Sequence, residues 1–227
     1  MTKRQEGVRI MDETKKLSDA LRWHNEKRIR EALAAIKRNN MSGIYVKSRE
    51  AALKEIFLRI PKGASVSHGG SRTLKELGID EFLNKGGYEY LLANASWDVG
   101  TRESRLRDFD CDVFLTSVNA ITLGGELIAL DGFGNRAACL LFGPRKLLVI
   151  AGKNKIVETL EDGIKRIKDY VAPVHARRRG QNLPCAKAGR CVDCRSPMRI
   201  CNKLAVLQYE RDSDRTTVIL VGEDLGI

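Results

Sequence analysis

Aromatic residues are scarce in this chain, at 6% of 227 residues, and histidine is scarcer still, with three. Residues 171–208 carry no Phe, Tyr or Trp on which a nucleic-acid base could stack, and no histidine lies among the four cysteines clustered near the C-terminus. No apolar run approaches the roughly 18 residues that a membrane-spanning helix requires. Met1–Asn40 is charged and polar throughout and has no apolar core of the kind a secretory signal carries. The expectation is a cytoplasmic protein whose thiols stay reduced. Five prolines leave long elements uninterrupted, and a hydrophobic fraction of 43% supplies a sizeable core. The length suits one α/β domain with an appendage.

What the chain has, in one place, is cysteine. Cys185, Cys191, Cys194 and Cys201 stand at C-x5-C-x2-C-x6-C in a polar stretch punctuated by proline and glycine. Thiolates are soft ligands, and four of them complete a tetrahedral zinc site or anchor an iron–sulfur cubane. Zinc knuckles usually bring two C-x2-C steps and this chain has one, which tilts the expectation to a [4Fe-4S] cluster, with zinc the alternative. Disulfides and unliganded thiols are the remaining readings, and the reducing compartment disfavours the first.

The same region is basic. Residues 176–203 hold eight Lys/Arg against the single acid Asp193, within a chain of net charge +11. That charge can offset a thiolate centre or attract an anionic cofactor or partner. No helix-turn-helix or RNA-binding signature accompanies it, so nucleic acid is disfavoured.

Periodicity organises the rest. Leu17, Ala20 and Leu21, then Ile29, Ala32, Leu33 and Ile36, predict one long helix that Asn39-Asn40 ends, packed on the domain or on a partner subunit. Residues 1–41 are thus set apart from an α/β domain over 42–227, with a Cys-rich insertion at 176–203. Short stretches at 44–46, 64–67, 112–118, 126–130, 146–151 and 217–221, most of them apolar runs, predict strands, with helices over 49–58, 73–77 and Ile156–Val171, the last stopped by Pro173. Alternation of this kind argues for a largely parallel sheet with helices on both faces, and such sheets bind ligands where loops leave the carboxyl ends of strands.

Two glycine loops fall at such places. In Ser67-His68-Gly69-Gly70-Ser71-Arg72-Thr73, Gly69, Gly70 and Ser71 form a candidate anion cradle at the start of a helix; an ordinary capped turn is the plainer reading. His68 is a candidate acid–base group, although a lone histidine is more often a hydrogen-bonded bystander. The stretch from Asn119 to Arg136 turns at Gly124-Gly125 and ends in Asp131-Gly-Phe-Gly-Asn-Arg136. Asn119, Asp131, Gly132, Gly134, Asn135 and Arg136 form a candidate ligand floor, and Glu126 and Asp131 are the carboxylates available for catalysis.

These motifs carry a resemblance. Val66-Ser-His-Gly-Gly-Ser-Arg-Thr-Leu-Lys-Glu-Leu-Gly78, Asn119–Arg136 and Gly143–Lys155 resemble the lactate-utilization (LUD) domain family, over roughly residues 12–225, and the Cys-rich segment is similar to that of a subset of the family. The resemblance implies a fold similar to that of ribose-5-phosphate isomerase and CoA transferases. It also implies lactate-type organic-acid or redox metabolism, with iron–sulfur or other redox partner proteins. Isomerases of that fold keep a catalytic aspartate in a motif similar to Ser117-Val-Asn119; here the position is an asparagine, which cannot serve as a carboxylate base. The leading expectation is a protein that binds a small anionic metabolite at the glycine loops and a metal centre at the cysteines, possible homo-oligomer included. The alternatives are a stand-alone isomerase or acyl/CoA-transferase-like enzyme, and a non-catalytic module that docks a partner.

Overall fold

A computed structural model of the chain describes residues 3–92 and 102–227. In chain order its elements are α1 (Lys3–Arg38), β1 (Ser42–Val46), α2 (Arg49–Phe57), β2 (Ser65–His68), α3 (Arg72–Glu76), α4 (Ile79–Lys85), β3 (Glu89–Tyr90), α5 (Arg102–Arg107), β4 (Val113–Thr116), β5 (Ala120–Thr122), β6 (Leu127–Asp131), α6 (Asn135–Leu141), β7 (Lys146–Gly152), β8 (Ile156–Val157), α7 (Leu160–Arg166), α8 (Ala172–Arg178), α9 (Pro184–Ala188), β9 (Lys203–Leu207) and β10 (Thr216–Val221). None of the described helices is long and apolar enough to cross a membrane.

Six strands form one sheet in the order β1-β10-β7-β4-β2-β3, with every pairing parallel. Its central strands read as unbroken apolar runs because both faces are buried. Val113, Leu115, Leu148, Ile150, Ile219 and Val221 pack under α2, α3 and α4. Their neighbours Phe114, Leu147, Val149, Val218 and Leu220 point the other way, into a core shared with Ile29, Ala32 and Ile36 of α1. That second face is covered only in part by helix. Ile121, Leu127, Ala129 and Leu207 close the rest of it, from a second sheet of order β8-β5-β6-β9. The second sheet presents Ala120 and Ile128 outward, to Ile167.

The long N-terminal helix is as expected, apart from residues 1 and 2, which lie outside the described residues, and Asn40 ends it at a φ of 60°. Among the described side chains, burial begins in its C-terminal half, with Ile29, Ala32, Ala35 and Ile36, while Leu17, Leu21 and Trp23 are exposed.

The helix expected over Ile156–Val171 is corrected at both ends. Ile156–Val157 is a strand parallel to β5, and the helix starts after Thr159, whose hydroxyl and the Asp162 carboxylate close a capping box. Pro173 does not stop it. The chain widens into a π-helical stretch at Ile167–Val171, where the Ala172 N–H reaches back to the Ile167 carbonyl, and then runs on as α8 to Arg178. A proline lacks the N–H and crowds the carbonyl four residues earlier, and a wider turn just before it relieves both faults.

Candidate functional site

Because β2, β4, β7 and β10 are parallel, their carboxyl ends lie on one edge of the sheet, and the loops leaving them meet there. At the centre of that edge is Lys155, which follows β7. Its side chain is 4% exposed, and Nζ donates to Thr73 Oγ1 and to Ser117 Oγ, each at 2.8 Å. Burial, then the charges of Arg166 and Arg136, push the lysine pKa down to about 7, with Glu76 opposing weakly. Arg166 of α7 reaches the same edge from outside. It donates to the Asn119 and Asn154 carbonyls at 2.8 and 3.0 Å, and burial lowers its pKa. Among the described residues neither cation is within ion-pair distance of a carboxylate: hydroxyls and carbonyls are their partners.

The two glycine loops do come together. The side chain of Arg136 lies across Gly69 so closely that a Cβ there would stand 2.8 Å from Arg136 Cγ. The guanidinium then works as a clasp, donating to the Ser117 carbonyl (2.6 Å), Asn119 Oδ1 (3.1 Å), the Leu130 carbonyl (3.2 Å) and Asp131 Oδ1 (2.6 Å). Asp131 spends its second oxygen on the Ala137 N–H at 2.7 Å, and Asn119 Oδ1 also accepts the Leu130 N–H. Asn119, Asp131 and Arg136 thus largely satisfy one another. Asn135 opens α6 and hydrogen-bonds Asp108, Gly134 precedes it at a φ of 96°, and Gly132 lies against Ile200. Ser71 caps α3 by accepting the Leu74 N–H, and Gly70 is exposed beside it.

Glu126 is elsewhere. It sits at the hairpin end of β6, accepting from Thr122 Oγ1 and Gln208 Nε2, and β6 separates it from Asp131 by roughly 16 Å at about 3.3 Å per residue. His68 is buried, with Nε2 placed 2.8 Å from Asp80 Oδ1 and 2.7 Å from the Tyr90 hydroxyl, which itself donates to Asp80. The hydrogen bond from His68, followed by that from Tyr90, holds the Asp80 pKa below its ordinary value despite burial. Asp108, under the same strand end, accepts the Ser67 hydroxyl at 2.5 Å, and burial raises its pKa.

The cysteine stretch is a flap from α8 to β9 that leans on the ligand loop. The Asn202 N–H donates to the Asp131 carbonyl at 2.8 Å, and its side chain to the Gly132 carbonyl at 3.3 Å. Cys185, Leu183, Ala176 and Ile200 form its small apolar core. All four cysteines are free thiols. Burial, then the neighbouring Cys194 and Cys201 and more weakly Cys191, raise the Cys185 pKa, so the four feel one another's charge. The Asp193 N–H points at Cys191 Sγ (3.4 Å) and Arg199 Nε at Cys201 Sγ (3.2 Å). Such donors favour thiolate and the sulfurs of a cluster. The donor set fits a soft metal, although among the described residues no three His, Cys, Asp or Glu side chains are gathered as a metal ion requires. The other two cysteines, Cys111 and Cys139, are buried in the main core, where burial pushes the Cys111 pKa up to about 12 and raises that of Cys139 further.

Lys155 and Arg166 were not legible as site residues: in sequence each is one of 40 basic residues, most of which face water. Position offered the one available signal for Lys155, three residues beyond the glycine that ends an apolar strand.

No curated protein matches the sequence. Among solved structures, a DUF162 family protein from Deinococcus radiodurans is similar, at 12% identity and a TM-score of 0.47, over 88% of this chain and 98% of that one. The LUD domain profile matches residues 29–221. The chain belongs to the LUD domain family.

Proposed function

We propose that this protein serves lactate-type organic-acid or redox metabolism by binding a small anionic metabolite at the edge where Lys155 and Arg166 meet. Family membership supports a role broadly related to lactate utilisation. The observation that carries the ligand is the pair of sheltered cations with no carboxylate partner among the described residues. Taking an ammonium out of water costs several kcal/mol unless an opposite charge offsets it. An incoming carboxylate or phosphate supplies that charge, and perturbed groups of this kind concentrate at functional sites. Arg136, Asn119 and Asp131 hold the floor rigid, with Arg136 packed over Gly69 and Gly70 exposed beside it. Acid–base chemistry through Glu126 with Asp131 has less support, since β6 separates the two and Asp131 is committed to Arg136.

Titration calorimetry with lactate, pyruvate and inorganic phosphate tests the ligand. Binding should weaken as pH rises through about 7, because Lys155 loses its proton there. Lys155→Met should lose affinity by about tenfold or more, the equivalent of one charge-assisted hydrogen bond. Absence of binding by any of the three, or equal affinity in the variant, would refute the assignment.

The second half of the reading is a [4Fe-4S] centre, or a zinc ion, on Cys185, Cys191, Cys194 and Cys201. It is supported by their spacing, their free thiols and the N–H donors aimed at two sulfurs. The basic flap around them, with Val192 and Met198 exposed, would face a redox partner. Anaerobic purification with metal analysis decides between the metals. Iron at about four per chain with broad absorbance near ~400 nm marks the cluster, and one zinc marks the alternative. Metal content should be lost in Cys194→Ala and kept in Cys139→Ala; a metal-free chain with titratable thiols would sink both versions.

A further inference from the structure

We propose that Lys155 is a covalent site, whose amine condenses with the carbonyl of a small oxo acid to form an imine. The inference rests on the anion-binding reading above and names the substrate class for the same edge.

Three features of the surroundings support it. First, Nζ has two partners, Thr73 Oγ1 and Ser117 Oγ, both hydroxyls. A neutral amine donates its two hydrogens to them and keeps its lone pair on the remaining face. A carboxylate partner would hold the group as ammonium, and none of the described carboxylates is within reach. Second, the neighbour of Nζ on one side is a residue without a side chain, so no Cβ crowds the amine there. Gly226, on the segment after β10, lies where a Cβ would be 3.4 Å from Nζ and 2.5 Å from Thr73 Oγ1, and its φ of 68° suits glycine. Third, Arg166 brings a positive charge to the loop that carries Lys155, through its bond to the Asn154 carbonyl. It does so without being neutralised, so an anionic group a few atoms from the carbonyl has a partner.

The lowered lysine pKa is consistent with this arrangement: near neutral pH a substantial fraction of the amine is unprotonated, the condition for a lysine nucleophile. The atoms balance without an oxidant. Nζ attacks the carbonyl carbon, the carbonyl oxygen takes up a proton to give a carbinolamine, and that oxygen leaves as water when the C=N bond forms. Ser117 and Thr73 touch Nζ and stand where hydroxyls can pass the proton from nitrogen to the departing oxygen. Water reverses the sequence. A proton taken up from water by the imine nitrogen gives an iminium, which places one positive charge beside the substrate's anionic group.

The test uses the intact protein with pyruvate or glyoxylate and sodium cyanoborohydride, followed by peptide mass mapping. The expected result is one reduced adduct per chain, on the peptide that contains Lys155. The exposed Lys187 serves as the internal control for nonspecific labelling. Lys155→Arg should give no adduct there, and Ser117→Ala should slow its formation by about a hundredfold, the low end of what one positioned proton-transfer group contributes. Calorimetry with lactate, which has no carbonyl, and with pyruvate runs alongside. Lactate and pyruvate binding with no adduct on Lys155 overturns the covalent proposal and leaves the anion site standing. No binding by either acid brings down the functional reading itself, and labelling of Lys155 no greater than that of Lys187 overturns the covalent site independently. The wild-type peptide map decides the question even where a variant fails to fold.

Discussion

Replacing Lys155 by methionine should make the ligand-free protein more stable, and by an amount that depends on pH. The side chain is buried and its pKa falls from 10.5 to about 7 on folding. Between those two values the unfolded chain binds more protons than the folded one, so stability rises with pH across that window, and below about 7 the full cost is present. At 1.36 kcal/mol per pKa unit, burying the lysine costs about 4 kcal/mol at pH 7 and about 2 kcal/mol at pH 9. Methionine of similar length removes that cost but leaves Thr73 Oγ1 and Ser117 Oγ each short of a donor, at about 1 kcal/mol apiece. Lys155→Met should therefore be more stable than the wild type by about 2 kcal/mol at pH 7 and nearly equal to it at pH 9. Urea unfolding of both proteins at pH 7, 8 and 9 reads this directly, because every other titrating group cancels in the difference. Parallel stability profiles over that range would show that Lys155 is no more perturbed than a surface lysine, and the anion site would lose its basis.

Two further outcomes concern the clasp. Arg136→Ala leaves the Asp131 carboxylate sheltered and unpaired and strips donors from the Ser117 and Leu130 carbonyls, so a loss of about 3–5 kcal/mol in urea unfolding is expected; a loss under about 1 kcal/mol would mean the network is ornamental. Gly69→Ala drives a methyl to within 2.8 Å of Arg136 Cγ and should cost about 1–3 kcal/mol, with thermal melts as the readout and an unchanged midpoint as the refutation.

The main sheet was legible in the sequence because its strands, such as Leu147–Ala151 and Val218–Val221, are apolar on both faces and leave an unbroken run. The second sheet was largely hidden. Its strand β5 has three residues and β8 has two, too short for any period to show, and their burial depends on partners distant in the chain. Pro173 misled for a related reason: its local preference is to end a helix, and the contact of Ile167 with the second sheet outweighs that preference at the expense of a π turn. The glycine loops were found by composition, and their meeting at Gly69 and Arg136 follows from the parallel topology. What composition cannot show is which polar groups are already satisfied. Asn119, Asp131 and Arg136 look like ligand contacts in sequence and are engaged mainly with each other, whereas Lys155, unremarked among many lysines, lacks a counter-charge among the described residues.

The position of the last strand constrains how the molecule is made. β10 lies between β1 and β7, and β1, pairing Ser42 with Thr217 and Val46 with Val221, has no other neighbour in its sheet. During synthesis β2, β4 and β7 can assemble as they emerge, but β1 must wait, unpaired, until Thr216–Val221 have left the ribosome. Contacts that span so much sequence are slow to form, and a strand exposed in the meantime is open to pairing with another chain. The long helix just before β1 is rich in charged residues and precedes it out of the ribosome. It is placed to keep that waiting edge from aggregating until β10 arrives.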